Sequence, residues 1–243
     1  WELHARAMYT DADESQFAIA AGGPIIPGEL AFRVSADKRD ADGFTWNPTR
    51  NTHENPLDSI NLRGKVLWTP SALPGFEARL GYTHYERYGG YRFSYTDVSV
   101  PDYFDNRINT SDLPNDSDAT TEIATLDLRY DFGGGLSLSA ISAYSDVKEF
   151  NRYDNDLTSF DGGGYDQRNR FKTFSQELRL NYEGERLSGL LGAFFYHRDQ
   201  EMLTNSDVGV PTPVETISLL LQSNMVPAPT ADYIANLYAL ALP

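Results

Sequence analysis

The chain has 243 residues, with 35 Asp and Glu against 20 Lys and Arg, a formal net charge of -15 and no cysteine. A disulfide-stapled module, a zinc finger and a thiol nucleophile all need cysteine and are excluded; an excess of acid with no segregated basic face excludes a nucleic-acid binder. A hydrophobic share of 40% with 13% aromatics is too rich for a disordered chain, and no apolar run reaches the ~18 residues of a transmembrane helix.

Period-2 alternation predicts strands along most of the chain. Segments 1–9 and 16–22 open the series, the first with Glu2, His4 and Arg6 on its polar side. Segment 30–37 sets Phe32, Val34 and Ala36 against Arg33, Ser35 and Asp37, and 60–68 sets Leu62, Val66 and Trp68 against Asn61, Arg63 and Lys65. Segment 76–85 sets Phe76, Ala78, Leu80 and Tyr82 against Glu77, Arg79 and Thr83, and 123–130 sets Ala124, Leu126, Leu128 and Tyr130 against Thr125, Asp127 and Arg129. After 136–144, segment 173–182 sets Phe174, Leu178, Leu180 and Tyr182 against Ser175, Glu177, Arg179 and Asn181. The ninth strand, 187–197, is apolar through its middle, which leaves its facing undecided. In the tail, 214–222 and 231–242 carry Leu at helical spacing between Pro211, Pro213, Pro227 and Pro229, and two short helices are expected there.

The connections alternate in length. Those at 23–29, 69–75, 131–135 and 183–186 are short and rich in Gly, Pro, Asp and Glu, whereas 38–59, 86–122 and 146–172 are long polar excursions. Hairpins that are tight at one end and extended at the other describe an up-and-down transmembrane β-barrel with short periplasmic turns and long extracellular loops. Strands of roughly 8 to 11 residues suit the ~9 to 11 that cross a bilayer at a tilt. Trp68, Tyr130 and Tyr182 at the short-turn ends and Tyr9, Tyr82, Tyr144 and Tyr196 at the others mark two aromatic girdles. A soluble β-sandwich would place these aromatics at the ends of a core, but its Greek-key connections have no reason to be short at one end only. Charged faces then belong in the lumen, because Arg or Lys toward lipid costs about 2–4 kcal/mol at the midplane. The expected lumen-lining residues are Arg33, Arg63, Lys65, Glu77, Arg79, Asp127, Arg129, Glu177 and Arg179.

The stretches Gly23-Pro-Ile-Ile-Pro-Gly-Glu-Leu-Ala-Phe-Arg33, Arg39-Asp-Ala-Asp-Gly-Phe44, Leu62-Arg-Gly-Lys-Val-Leu-Trp-Thr-Pro70 and Thr173-Phe-Ser-Gln-Glu-Leu-Arg-Leu180 resemble the barrel of TonB-dependent outer-membrane receptors. The likeness runs from Trp1 to about Met202 and rests on turn and strand patterns in order. It implies a bacterial outer-membrane location, a ~22-stranded barrel with a plugged lumen, import driven through TonB by way of a plug domain upstream of this chain, and a scarce ligand, by default an iron–siderophore. The family pattern makes the chain an incomplete, all-β antiparallel barrel segment, a single domain over 1–243, with strands and loops over 1–197 and an extracellular loop over 198–243. A chain that opens on Trp1 inside a strand reads as a piece of something longer. The competing reading is a self-contained structural or adhesive β-barrel or β-sandwich.

Chemistry beyond transport has little support. No G-x-S-x-G elbow accompanies His4, His53, His84 or His197, so no catalytic residue and no enzyme activity is expected. The acidic run around Asp112, Asn115, Asp116, Asp118 and Glu122 lacks the Gly and ligand spacing of an EF-hand loop, leaves calcium binding open, and gives no basis for a metal or cofactor. Aromatic residues in the long loops combine stacking faces with hydrogen-bonding groups. Ligand contacts are therefore expected at Tyr88, Tyr91, Arg92, Tyr95, Tyr103, Tyr153 and Tyr165, with the ligand, the TonB complex and outer-membrane lipid as partners.

Overall fold

A computed structural model describes residues 1–10, 13–91, 101, 102, 105, 107–209 and 212–241. In chain order the elements are β1 (Glu2–Tyr9), β2 (Glu14–Ile26), β3 (Leu30–Ala41), β4 (Thr45–Asn47), β5 (Thr52–Glu54), β6 (Leu57–Trp68), β7 (Phe76–Gly90), β8 (Asp116–Gly133), β9 (Leu136–Asp154), β10 (Gly164–Glu183), β11 (Ser188–Ser206), α1 (Val214–Ser223) and α2 (Ala228–Ala241). Nine of the strands form one antiparallel sheet in the order β1-β2-β3-β6-β7-β8-β9-β10-β11, and β4 pairs with β5 alone. Every neighbour in the large sheet is also a neighbour in sequence once the small hairpin is set aside. This is the up-and-down order that alternating turns and loops dictate, and the sheet is not closed, since β1 and β11 do not pair.

Glycine sets the tight turns. Gly75 (φ 85°) and Gly135 (φ 83°) lie in the left-handed region, and each carbonyl accepts an N–H from the end of the second strand that follows it, Asp131 N–H of β8 to Gly75 at 2.9 Å and Glu183 N–H of β10 to Gly135 at 2.9 Å. A Cβ at these positions would meet the Asp131 carbonyl oxygen at 2.4 Å and the Glu183 carbonyl oxygen at 2.0 Å. The turns thus repeat one device, a backbone contact that only glycine admits.

The nine expected long strands are present, but they run further than alternation indicates. β8 begins at Asp116, β9 continues to Asp154, β10 begins at Gly164 and β11 continues to Ser206, so much of 86–122, 146–172 and 198–206 is sheet rather than loop. In these extensions apolar residues are few and scattered, among them Val147, Phe150, Phe171, Met202 and Leu203, so strict apolar/polar alternation lapses while the backbone ladder, which needs no apolar side chain, goes on. The 38–59 excursion also holds the β4–β5 hairpin. The two helices lie close to their expected spans and pack on each other through Ala231 and Ala235.

Pairing puts each residue on one of two faces. On the first, Val34, Gly64, Tyr82, Ala124, Tyr144 and Phe174 form one row across β3 to β10, and Phe32, Val66, Leu80, Leu126, Ser142, Gln176 and Phe195 the next, extending to β11. The row on the loop side of these is Ala36, Leu62, His84, Glu122, Asp146, Lys172 and Asp199. Over most of the sheet this face passes from aromatic to charged within one pleat.

Burial decides between the two architectures. Among the described residues the buried apolar side chains are Ala231 and Ala235, both in the helical pair, whereas Leu80 on central strand β7 is 55% exposed and Phe17 60%. A sandwich would bury these residues between its sheets. A continuous exposed apolar face of this extent is what lipid covers. No helix among the described residues is long and apolar enough to cross a membrane.

Candidate ligand-binding face

The second face of the sheet is polar. Arg33 is registered with Lys65, Arg79 with Asp127, Glu77 with Arg129, and Arg63 with Thr83, and the pairing carries the same side through Ser139 and Ile141 of β9 to Arg179 and Glu177. All nine residues expected to line a lumen therefore share one face. Ion pairs tie them together: Glu77 with Arg79 at 2.6 Å, Glu177 with Arg179 at 2.5 Å, and Arg33 with Glu2 at 3.3 Å. Gln16 bridges neighbouring strands, accepting from Arg6 at 2.8 Å and donating to Asp37 at 2.8 Å, and Arg39 meets Glu14 at 2.6 Å. Exposed pairs of this kind contribute little stability singly; their effect is to neutralise the face locally.

Register also settles β11, which the sequence left undecided. Phe194 and Tyr196 oppose Glu177 and Ser175 on the polar face, while Leu191, Ala193 and Phe195 oppose Leu180, Leu178 and Gln176 on the apolar one. A strand apolar on both sides has no alternation to read, so only its partner could fix its facing.

At the loop end of the polar face three tyrosines meet. Tyr153 and Tyr165 are directly paired across β9 and β10 with ring centroids 4.6 Å apart, and Tyr91, just past β7, lies 5.9 Å from Tyr153. Gln167 donates to the Tyr165 hydroxyl at 2.9 Å, Asn169 donates to the Gln167 carbonyl at 3.1 Å, and Ser117 donates to the Asn151 carbonyl at 2.7 Å. The result is an aromatic ladder bordered by amides and hydroxyls. Tyr88 belongs elsewhere: it sits on the opposite face and donates to Asp116 at 3.1 Å, and Arg152 clamps the same carboxylate through two bonds of 3.1 and 2.7 Å. Arg92, Tyr95 and Tyr103 lie outside the described residues.

Loops beside the ladder are held by buried polar groups that spacing alone did not single out. Asn47 donates to Glu54 and to the Ser111 carbonyl, each at 2.8 Å, and its own carbonyl accepts the backbone N–H of Thr49 and Arg50. This fastens the segment after residue 107 to the β4–β5 hairpin. Tyr91 N–H then bonds the Asn115 carbonyl at 3.1 Å, and Asp154 N–H bonds the Asn115 side chain at 3.1 Å. Asp154 accepts the N–H groups of Asp156 and Leu157 through Oδ1, while its buried Oδ2 finds no donor. Burial pushes the Asp154 carboxyl above its usual value, with Asp156 and Asp112 adding to the effect, whereas the Thr158 N–H and hydroxyl hold exposed Asp156 below it.

Each histidine has its own surroundings. His84 contacts Glu86 at 3.1 Å and Glu122 at 3.6 Å, His197 contacts Asp199 at 3.2 Å, His4 contacts Glu2 at 3.7 Å, and His53 packs edge-on to Trp46. Among the described residues no serine hydroxyl bonds a histidine, and no three His, Asp or Glu side chains converge as a metal ion would require.

No protein-family model matches the chain. Solved structures do match, beginning with the ferric yersiniabactin uptake receptor FyuA of Yersinia pestis, at a TM-score of 0.68 and 16% identity over 82% of this chain and 30% of that one. The fold is that of a TonB-dependent receptor barrel, in part. The ferric-catecholate import receptor Fiu of E. coli K12 shows the same TonB-dependent receptor barrel in its closed and open forms, at TM-scores of 0.53 and 0.54 and identities of 12% and 15%, each over 82% of this chain. The chain spans about a third of the length of these TonB-dependent receptors, 30%, 31% and 34% respectively. All are transport receptors rather than enzymes.

Proposed function

We propose that this chain is part of the barrel of a bacterial outer-membrane receptor that binds a small, scarce ligand at its extracellular end for TonB-driven import. The observation that carries the reading is the division of the sheet into a lipid-type face bounded by aromatic rows and a polar, charge-balanced face ending in the Tyr91, Tyr153 and Tyr165 ladder. On this reading the apolar face meets lipid, the polar face lines the lumen, the tight turns are periplasmic and the long strand extensions are extracellular. Residues 1–243 act as one domain, with 198–243 contributing the end of β11 and a helical pair to an extracellular loop. An iron–siderophore is the ligand class suggested by the likeness to FyuA and Fiu, and a plug domain elsewhere in the protein would make the contact with TonB.

The ladder's part is recognition. Tyrosine rings offer flat apolar contact, and their hydroxyls with Gln167, Asn151 and Asn169 offer directional hydrogen bonds to a polar ligand. The full-length protein, expressed in cells lacking their own receptors, is expected in the outer-membrane fraction and should confer uptake of at least one of a panel of radiolabelled ferric siderophores. Uptake should vanish in a strain without TonB. Replacing Tyr153 and Tyr165 by Ala should weaken binding about tenfold or more, in line with the ~1.4 kcal/mol per decade expected from losing aromatic contacts. A protein absent from the outer-membrane fraction would end this reading.

A further inference from the structure

Where the 107–115 segment meets the end of β9, two carboxylates face each other without a donor. Backbone and side-chain contacts bring them together. Asp112 N–H donates to the Thr158 carbonyl at 2.9 Å, and Asp154 N–H donates to the Asn115 side-chain oxygen at 3.1 Å. Leu113 closes the contact, since a Cβ on Gly164, the register partner of Asp154, would meet its Cδ1 at 2.8 Å. Here Oδ1 of Asp112 and Oδ2 of Asp154 are both buried and accept no hydrogen bond, although the two carboxyl groups lie within hydrogen-bonding reach of one another. Ionised, the two oxygens would repel in a site closed to water; one proton between them turns the repulsion into a charge-assisted hydrogen bond.

The surrounding groups leave that proton a single acceptor. Oδ1 of Asp154 already takes the N–H groups of Asp156 and Leu157, and Oδ1 of Asp156 takes the N–H and hydroxyl of Thr158. A proton on Asp154 Oδ2 therefore serves Asp112 Oδ1, the oxygen left empty. Among the described residues no basic side chain pairs with either carboxylate: Arg152, the nearest cation along β9, is bonded to both oxygens of Asp116 and feels Asp166 of β10, while Asp207 meets Gly164 through its backbone N–H. Burial, with Asp156 and Asp112 adding to it, holds the Asp154 proton above the ordinary 3.8. A divalent ion fits poorly, since calcium takes about 6–8 oxygens and no three His, Asp or Glu side chains converge among the described residues.

We propose that Asp112 and Asp154 share one proton, and that this proton latches the 107–115 segment onto the β9–β10 connection and thereby regulates the tyrosine ladder. Asn115 carries the effect. Its carbonyl accepts the Tyr91 N–H at 3.1 Å and its side chain accepts the Asp154 N–H, so the latched segment fixes Tyr91 against Tyr153. In the closed arrangement Asp154 Oδ2–H donates to Asp112 Oδ1; when the proton leaves to water, two negative charges face each other and the segment separates. The closed form holds the proton more tightly than the open one, so the latch is complete below the ordinary carboxylate value and opens as pH rises through the raised one. Ligand binding at the ladder follows in the same direction, and that part rests on the receptor reading above.

The test follows backbone hydrogen exchange at the Asp112 and Tyr91 amides of the full-length receptor in detergent, corrected for intrinsic rates, from acid to mildly alkaline pH. Wild-type protection is expected to fall by roughly tenfold for each unit separating the closed and open pKa values. Asp112→Asn, whose amide donates to Asp154 Oδ2 without titrating, should stay protected throughout, and Asp112→Ala should be unprotected throughout. Wild-type protection that ignores pH would overturn the proposal, as would matching profiles for wild type and Asp112→Asn, or full protection in Asp112→Ala. Calcium that restores protection to the wild type at neutral pH would also overturn it, by placing a divalent ion where the proton is assigned. Should a variant lose its heat-resistant folded form, the wild-type pH profile and its calcium control decide. Ferric siderophores returned by the uptake panel should lose more affinity for the wild type than for Asp112→Asn between acid and neutral pH; equal losses would overturn the regulation of the ladder. Failure of the receptor reading is distinct: the protein would be missing from outer membranes, and the exchange result would stand without it.

Discussion

Asp154 ends β9 in an unusual position for a carboxylate, with relative exposure of 1% and one oxygen lacking a donor. Its other oxygen closes the turn into 156–158 by accepting two backbone N–H groups. Because burial raises its folded-state pKa, the folded protein holds the proton more tightly than the unfolded chain between the ordinary 3.8 and the raised value. Stability of this turn from Asp154 is therefore fully present below 3.8 and is lost as pH rises through the raised pKa. Asp156, held low, has the opposite sign, so the comparison must isolate Asp154. Hydrogen exchange at the Asp156 and Leu157 amides, corrected for intrinsic rates, should lose protection on going from acid to neutral pH in the wild type. Asp154→Asn, which keeps the accepting oxygen without the charge, should remain protected at neutral pH. Identical profiles for the two proteins would remove the pH dependence from Asp154.

At the scale of single elements, the tight turns and the strand extensions behave differently under substitution. Gly28 has φ 78° with nothing within 4 Å of a Cβ, so Gly28→Ala meets only the left-handed penalty of about 1–2 kcal/mol. Gly135→Ala meets the same penalty and also drives a methyl into the Glu183 carbonyl, and Gly75→Ala does likewise at Asp131. Gly28→Ala should thus fold in near-normal yield, while the other two lose most of their heat-resistant barrel on unheated gels. Those turns were legible from composition, since Gly, Pro and Asp mark them directly. The extensions were not. Asp116 to Glu122 and Lys148 to Asp154 are largely polar, with Phe150 and Tyr153 the large exceptions, and what makes them strand is register with β7 and β10, together with the Arg152 clamp on Asp116.

Taken whole, the molecule is a sheet with one apolar and one polar side, and a single pleat separates them. Leu126 lies mid-sheet on the apolar face between Leu80 and Ser142, and Thr125 beside it belongs to the polar face between Gly81 and Ala143. Leu126→Arg should cost about 2–4 kcal/mol near the bilayer midplane and sharply reduce the folded, membrane-integrated fraction. Thr125→Arg should leave that fraction close to wild type, because its side is already charged and wet. Similar losses from both substitutions would show that the two faces are not solvated differently.

Sequence by itself determined the strand count of the large sheet, the up-and-down order, and the assignment of each alternating strand's charged side to one face. A period of two and a turn vocabulary are local properties, written within about ten residues of chain. The mean hydropathy of -0.47 reflects polar residues at every second strand position and through the long connections. Tertiary structure alone decided the facing of β11 and the separation of Tyr88 from the Tyr91, Tyr153 and Tyr165 ladder. Each of these depends on which residue of a neighbouring strand lies opposite. Register is fixed by the sheet as a whole, and no segment carries it alone.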